Sequence, residues 1–428
     1  MALNTENAGS GDARAPMSHM QASGLLACVI LGYIGIYLCR KNLSVAIPAI
    51  QKDFKVTNKE IGIIASYSTA AYMTGKLIFG PVIDRFGGRV CFLLALTGVA
   101  IFGGLGAFAV SLPMLTILYS ANRLAGAAGW GSMVKQVPDW FRKDRLALPM
   151  AFLSLSFVFG GTCALKLAGR VDTLSGGNWR AVMGLPSLIL VVIIVICWVV
   201  LPKSQKSATT GVPAKTGTSF SFAQIFELAK IPQFWTVCAL SAILNITRET
   251  FNVWTVLFLK KGGGPGLSTE GAANFSMAFD IAGAVGILFL GYALDHVSRR
   301  GRTTLLVAIL LALAGLIYEL PVLAKNGIWQ ATAVIALIGF LSYGPYSLLA
   351  GILAVEIRGP AFVATVAGFV DGTGYFGASV MDRFFGDMVD RGGFLYAFHF
   401  LAAITSIAAV LCLFLRTSQR HSVTQANS

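Results

Sequence analysis

A few charged side chains interrupt stretches that are otherwise apolar: Arg40 and Lys41, Lys76, Arg123, Arg248 beside Glu249, Asp280 and Asp371. A charge at the centre of a bilayer costs about 2.5–3.5 kcal/mol even on the mildest insertion scale, so each of these groups needs a cavity or a partner. The chemistry they offer is anion recognition. A guanidinium is a rigid planar fork that matches carboxylate and phosphate oxygens and stays ionised when partly dehydrated. Bond-making chemistry has no comparable signature. No nucleophile has an adjacent base, the four histidines (His19, His296, His399, His421) are scattered, and the seven cysteines fall in apolar runs without a C-x-x-C pair. The expectation is a binding and release site, with no metal, no cofactor and no enzyme activity.

The elements that must position these residues follow from composition. The 428 residues are 56% hydrophobic and 12% charged, with mean hydropathy +0.73. A spanning helix takes about 20 mostly apolar residues, which predicts helices near 22–46, 60–82, 90–110, 113–136, 147–169 and 181–201. A Ser-, Lys-, Gly- and Pro-containing stretch follows, and six more helices are expected near 233–258, 271–294, 303–323, 328–351, 361–381 and 394–415. The expected fold is an all-α membrane protein of twelve transmembrane helices in two six-helix bundles, 21–201 and 233–416. A cytoplasmic interdomain loop (202–232) joins them, and cytosolic tails (1–20, disordered, and 417–428) flank them.

The net charge of +14 reflects scarce acids rather than a basic soluble module, which argues against nucleic acid as a partner. The first twenty residues lack the basic region and short apolar core of a signal peptide. Arg85, Arg89, Arg142, Lys143, Arg145, Lys203, Arg299, Arg300 and Arg302 fall in the loops that share a side with the termini, which by the positive-inside rule places both termini in the cytoplasm. The halves also repeat. Gly80 to Asp84 and Gly291 to Asp295 end the second and eighth helices at an offset of 211, and Arg40 and Arg248 recur at an offset of 208. Duplicated bundles with a site between them would bring those two arginines face to face.

Gly80-Pro-Val-Ile-Asp84-Arg85-Phe-Gly87-Gly88-Arg89 matches the loop motif between helices two and three of the major facilitator superfamily, and Gly291 and Asp295 mark its second copy. Its role there is gating: glycines allow close helix ends, and Asp84, Arg85 and Arg89 would form a charge clasp. More narrowly, the chain resembles the organophosphate:phosphate antiporter branch, which includes bacterial glycerol-3-phosphate and hexose-phosphate exchangers. The resemblance rests on Tyr37-Leu-Cys-Arg40-Lys41-Asn42, Gly75-Lys76, Gly129-Trp130, Arg248 before Trp254, Tyr343-Gly344-Pro345, Gly368-Phe369 and Gly374-Tyr375-Phe-Gly377. It implies a monomeric, multi-pass carrier of the plasma (bacterial inner) membrane. Such a carrier exchanges a small organic phosphate for inorganic phosphate by rocking two bundles about Arg40 and Arg248. Two uncompensated cations in the empty site would resist closure and favour strict exchange.

Other residues are expected around that pair. Lys76 matches a basic family position. Tyr33 and Tyr37 precede Arg40 on one helical face, and the family carries tyrosines at both places. Trp130, Asn245 and Tyr375 are candidates of the same kind. Two readings compete with substrate binding: Arg40 could snorkel from a helix end, and Arg248 could be neutralised by Glu249, Asp280 or Asp371. Those acids could instead carry protons, making the chain a proton-coupled carrier of a small carboxylate. Arg123, with Gly126 and Gly129, resembles a pattern on the fourth helix of other facilitators, including proton-coupled ones. Lys135 is expected to face the loop. Phe157 stands where glycerol-phosphate exchangers carry a histidine. A transporter-like sensor of an external phosphate ester is a further alternative.

Overall fold

In hydrocarbon a backbone amide has no water to bond, so each spanning segment must close its own hydrogen bonds. Accordingly, every regular element among the described residues is helical. The computed structural model describes residues 19–141, 146–202, 230, 232–261, 266–297, 299–349 and 363–426, the side chains of 147, 232–233, 294–295, 299–300, 347–349, 363–367 and 414–426 excepted. The helices in order are α1 (His19–Arg40), α2 (Asn42–Phe54), α3 (Asn58–Phe86), α4 (Gly88–Gly106), α5 (Leu112–Gln136), α6 (Ala147–Leu174) and α7 (Trp179–Val200). The second half holds α8 (Pro232–Lys261), α9 (Thr269–His296), α10 (Arg299–Leu323), α11 (Ile328–Leu349) and α12 (Val363–Ala426). With α1 and α2 taken as one interrupted crossing, and α12 as two across Gly393 (φ 71°), these supply the twelve crossings of a two-bundle, all-α membrane protein. Residues 1–18 and 427–428, most of the 202–232 loop and the basic residues Arg142, Lys143, Arg145 and Lys203 lie outside the described residues, whereas 417–426, expected as a tail, continue the last helix.

Among the crossings that outrun their apolar runs, the first and the eleventh show why. The first extends past 46 to Phe54 because the polar residues at its end are used: Asp53 accepts from Trp179 Nε1 (2.8 Å) and Arg180 Nη1 (2.7 Å). It is interrupted at Lys41, whose carbonyl accepts from Ser44 Oγ (2.8 Å). Pro48, two turns further on, has no amide to donate. The eleventh crossing continues through Asp382 and Arg383, which read as a loop in sequence. Asp382 is fully buried, where it accepts from Thr69 Oγ1 of the other bundle (3.0 Å).

Among the described residues, eight stretches are long and apolar enough by composition to cross a membrane. The elements without such a stretch are α3, α5 and α8, and they are the ones that carry Lys76, Arg123 and the Arg248-Glu249 pair. Their low hydropathy is the price of a polar interior. Wholly apolar faces such as that of α7, with Val192, Trp198 and Val199 exposed, suit contact with lipid.

The bundles meet along α3 against α12 and α6 against α9, and one end of this interface is sealed. Thr57 caps α3 in a reciprocal box with Glu60. Asp390 of α12 then accepts from Asn58 Nδ2 (2.6 Å) and from the Asn58 and Lys59 amides (3.2 and 2.8 Å), so the positive end of α3 holds an anion from the opposite bundle. Lys59–Asp387 (3.3 Å) and Ser379 Oγ on the Ser66 carbonyl (3.0 Å) continue the seam. Gly62 is what lets the helices touch, since a Cβ there would sit 2.5 Å from the Asp382 carbonyl oxygen. Gly62→Val should therefore pry this end open. The expected result is severalfold faster maleimide labelling of a cysteine placed at Ser379, and unchanged labelling would show that this contact does not govern closure.

Candidate functional site

The bundles enclose a cavity of about 480 Å³ whose wall includes Arg40, Lys41, Lys76, Arg123 and Arg248 as cations and Glu249, Asp280 and Asp371 as acids. Arg40 closes α1, and Tyr119 of α5 holds its backbone, donating its hydroxyl to the Arg40 carbonyl (2.5 Å). The guanidinium lies over the rings of Tyr37 (5.3 Å) and Tyr72 (4.6 Å), at a separation where the ring quadrupole attracts a cation. From α8, Arg248 is fixed by Asn245 Oδ1 and the Tyr375 hydroxyl (2.9 Å each) and lies over Tyr346 (4.1 Å). The two arginines converge as the internal repeat predicts.

They are not uncompensated. Glu249 Oε1 stands 3.3 Å from Arg40 Nη2 and 3.6 Å from Arg248 Nη2, while Oε2 stands 3.4 Å from Arg123 Nη2. The expectation of a bare arginine pair that resists closure is thus revised, because a resident carboxylate sits between the pair. The other acids are held differently. Asp280 pairs with Lys41 and accepts from the Tyr343 hydroxyl (2.8 Å). Asp371 pairs with Lys76 and accepts from the Tyr346 hydroxyl (2.6 Å). Each of these aspartates has one cation and one phenol, and both ion pairs bridge the bundles.

Tyr33, Tyr37, Trp130 and Tyr375 all line the cavity. Trp130 leans on Tyr33 at 5.7 Å between ring centres, and Phe157 stacks on Tyr343 at 6.2 Å with the planes 3° apart. Asn245 is different from the expectation. It is fully buried and lies behind the wall, where it orients Arg248 instead of reaching the cavity.

The loop motif also differs. Asp84 pairs with Lys135 (2.8 Å), which in addition donates to the Ile83 carbonyl (3.0 Å), so Lys135 faces the motif and not the loop. Arg89 donates to the carbonyls of Leu201 (2.9 Å) and Trp198 (2.9 Å), tying α4 to the end of α7, and Arg85 rests near Phe86 (5.6 Å). The glycines Gly80 and Gly291 meet nothing that a Cβ would strike, so close packing is not their role in this conformation. The Asp295 side chain lies outside the described residues.

Sequence reasoning passed over Tyr72, Tyr119, Tyr346 and Asn252 as wall residues. The first had a usable signal, lying four residues before Lys76 and so on the same helical face. Tyr346 follows Tyr343-Gly344-Pro345 one turn on, but Tyr119 and Asn252 carry no spacing that separates them from packing residues.

A charged cavity at the interface of two helical bundles is a carrier architecture, and comparison with known families agrees. The Major Facilitator Superfamily model matches residues 29–381. The chain belongs to the Major Facilitator Superfamily. Among similar members is a protein of Chlamydia pneumoniae named a probable hexose phosphate transport protein, 26% identical, with 90% of this chain and 89% of that one aligned. The glycerol-3-phosphate transporter of Bacillus subtilis is 25% identical over 86% and 87% of the two chains. The membrane sensor protein UhpC of Escherichia coli is 25% identical over 91% of each.

Solved facilitator structures superpose over nearly the whole chain. A bacterial homologue of the human lysosomal transporter Spinster gives a TM-score of 0.74 at 14% identity (93% and 96% covered). The nucleoside transporter NupG gives 0.75 at 15% (92% and 98%). At these identities the likeness establishes the fold alone.

The buried pairs generate a stability test. Lys41 and Asp280 are 8% and 5% exposed, and removing one member of such a pair leaves a buried charge that costs about 3–5 kcal/mol. Asp280→Asn should lower the Tm in detergent markedly, and adding Lys41→Met should recover most of the loss. A double variant no more stable than the single one would show that the pairing is not what Asp280 contributes.

Proposed function

We propose that this facilitator carries a small organic phosphate ester across the membrane, binding its phosphoryl group between Arg40 and Arg248 with inorganic phosphate as the counter-substrate. The observation that carries this reading is the charge of the wall. Five cationic side chains stand against three acidic ones, a formal surplus of two, and a phosphate ester near neutral pH is close to a dianion. Binding then brings the buried site to neutrality, which low-dielectric surroundings favour. Tyr33, Tyr37, Trp130 and Phe157 give the carbon skeleton an apolar and aromatic wall. Lys76, already paired with Asp371, serves the site as a fixed positive charge. The named functions of the hexose-phosphate and glycerol-phosphate relatives support the same substrate class.

The carrier works as a monomer with both termini in the cytoplasm, so the seam at Asn58 and Asp390 closes the outer side. Rocking about the central ion pairs opens it. A second reading has its own support: UhpC is as similar as the transporters and is named a sensor. A sensor would bind the ester with little flux.

Counterflow in phosphate-loaded proteoliposomes separates these readings. Labelled phosphate should exchange against sugar and polyol phosphates. A carboxylate flux driven by a pH gradient and unaffected by phosphate would sink the proposal. Arg40→Lys and Arg248→Lys keep the charge and lose the fork. A charge-assisted hydrogen bond is worth about 1.5–3 kcal/mol, so each variant should raise the half-saturating phosphate concentration about tenfold or more at unchanged protein abundance. Wild-type exchange in either would place that arginine outside the site.

A further inference from the structure

The three acids of the cavity are not equivalent, and the difference assigns one of them a separate task. Asp280 and Asp371 each hold one lysine on one oxygen and one tyrosine on the other. Glu249 is 5% exposed on its side chain and shares its two oxygens among three guanidiniums at 3.3, 3.4 and 3.6 Å. Among the described residues it also accepts from Asn252 Nδ2 at 3.4 Å. All four distances exceed the 2.7–2.9 Å of a well-formed charge-assisted hydrogen bond. This carboxylate is enclosed by donors without being locked to any one of them. It also occupies the space between Arg40 and Arg248, one from each bundle, where a phosphoryl group would have to sit.

Arg123 makes displacement feasible. It approaches Glu249 through Oε2, the oxygen that neither Arg40 nor Arg248 uses. Its guanidinium is 4.8 Å from the Tyr72 ring, which also faces Arg40. A ligand that takes Arg40 and Arg248 therefore leaves Glu249 with Arg123 and Asn252 as partners, still inside the cavity. Asp382, the nearby carboxylate of α12, lies behind the wall on Thr69 and does not face the ligand.

We propose that Glu249 is the charge-selectivity residue of the site: it cedes Arg40 and Arg248 to the phosphoryl group, stays ion-paired with Arg123, and thereby holds the cationic surplus at two. This inference rests on the phosphate-ester reading above and narrows it. The preferred ligand is a phosphate dianion with an uncharged skeleton, such as a sugar or polyol phosphate. An ester with an additional carboxylate brings a third negative charge that would face Glu249 with no cation left over. In a wall of low dielectric that repulsion is weakly screened, and a charge set against the wrong ligand is a common source of specificity.

The test compares hexose 6-phosphate or glycerol phosphate with 3-phosphoglycerate as inhibitors of phosphate counterflow by the full-length protein. Wild type should require about tenfold more phosphoglycerate than uncharged-skeleton ester for half-inhibition. Glu249→Gln removes the opposing charge and should shift that ratio toward phosphoglycerate by at least about fivefold. Glu249→Asp retains the charge and should leave the ratio within about twofold of wild type, which separates charge from a general disturbance of the site. Equal inhibition by both esters in wild type overturns the proposal, as does a ratio that Glu249→Gln leaves unchanged. Ligand-induced thermal stabilisation of purified protein gives the same ratio without requiring flux. A protein that is stabilised in the expected order but does not exchange refutes the transport reading alone, and one stabilised by neither ester refutes both.

Discussion

The bundles of this protein are held to each other by opposite charge. The amino-terminal half contributes Arg40, Lys41, Lys76 and Arg123 to the cavity wall, and the carboxy-terminal half contributes Arg248 together with all three acids, Glu249, Asp280 and Asp371. Lys41–Asp280, Lys76–Asp371, Arg40–Glu249 and Arg123–Glu249 all run across the interface. Ion pairs in a medium of low dielectric resist separation because no water replaces the lost partner. The halves can therefore tilt about these contacts far more easily than they can part. The polar seam at Asn58, Asp387 and Asp390 is nearer to solvent, where such contacts are weaker and easier to exchange for water. A strong pivot and a weak rim are what alternating access requires.

Tyrosines make the charged centre compatible with a defined shape. Tyr343 and Tyr346 occupy the second oxygen of each aspartate, Tyr375 orients Arg248, and Tyr37 and Tyr72 present ring faces to Arg40. Tyr343, Tyr346 and Tyr375 bring a polar end to a charge and an apolar body to the packing around it. The resulting site is preorganised, so less ordering remains for the ligand to impose. Phe157 against Tyr343 completes a wall that can guide a skeleton by shape but offers no hydrogen bond from that position.

How much of this could be read in the sequence depended on whether a feature was local or relational. The helices followed from apolar run length, and the Arg40–Arg248 convergence followed from the repeat offset, since duplicated bundles transmit symmetry directly. The loop motif at Gly80–Arg89 was equally plain. Where its charges go was not, because Lys135 reaches Asp84 from a different helix. Partner choice among the acids was illegible for the same reason: which lysine meets Asp280 or Asp371 depends on the rotation of helices in separate bundles, which no spacing encodes. Asp382 misled in the opposite direction. A charge next to Arg383 resembles a helix end, yet it is buried because Gly62 lets α3 come close enough for Thr69 to reach it.

The pseudo-symmetry is thus geometric and not electrostatic, and this bears on coupling. Were the halves equal in charge as well as in fold, the empty centre would hold Arg40 and Arg248 with nothing between them, and closure would require a ligand. Here Glu249 lowers the surplus created by three arginines from three to two without cancelling it. A phosphate dianion cancels it fully. On the proposed phosphate-ester reading, the loaded carrier would present a neutral centre to closure while the empty one presents a residual repulsion, so exchange would be favoured by degree instead of being imposed. On that reading the stringency of coupling follows the number of carboxylates the cationic centre already contains, and Glu249, adjacent to Arg248, changes that number by one.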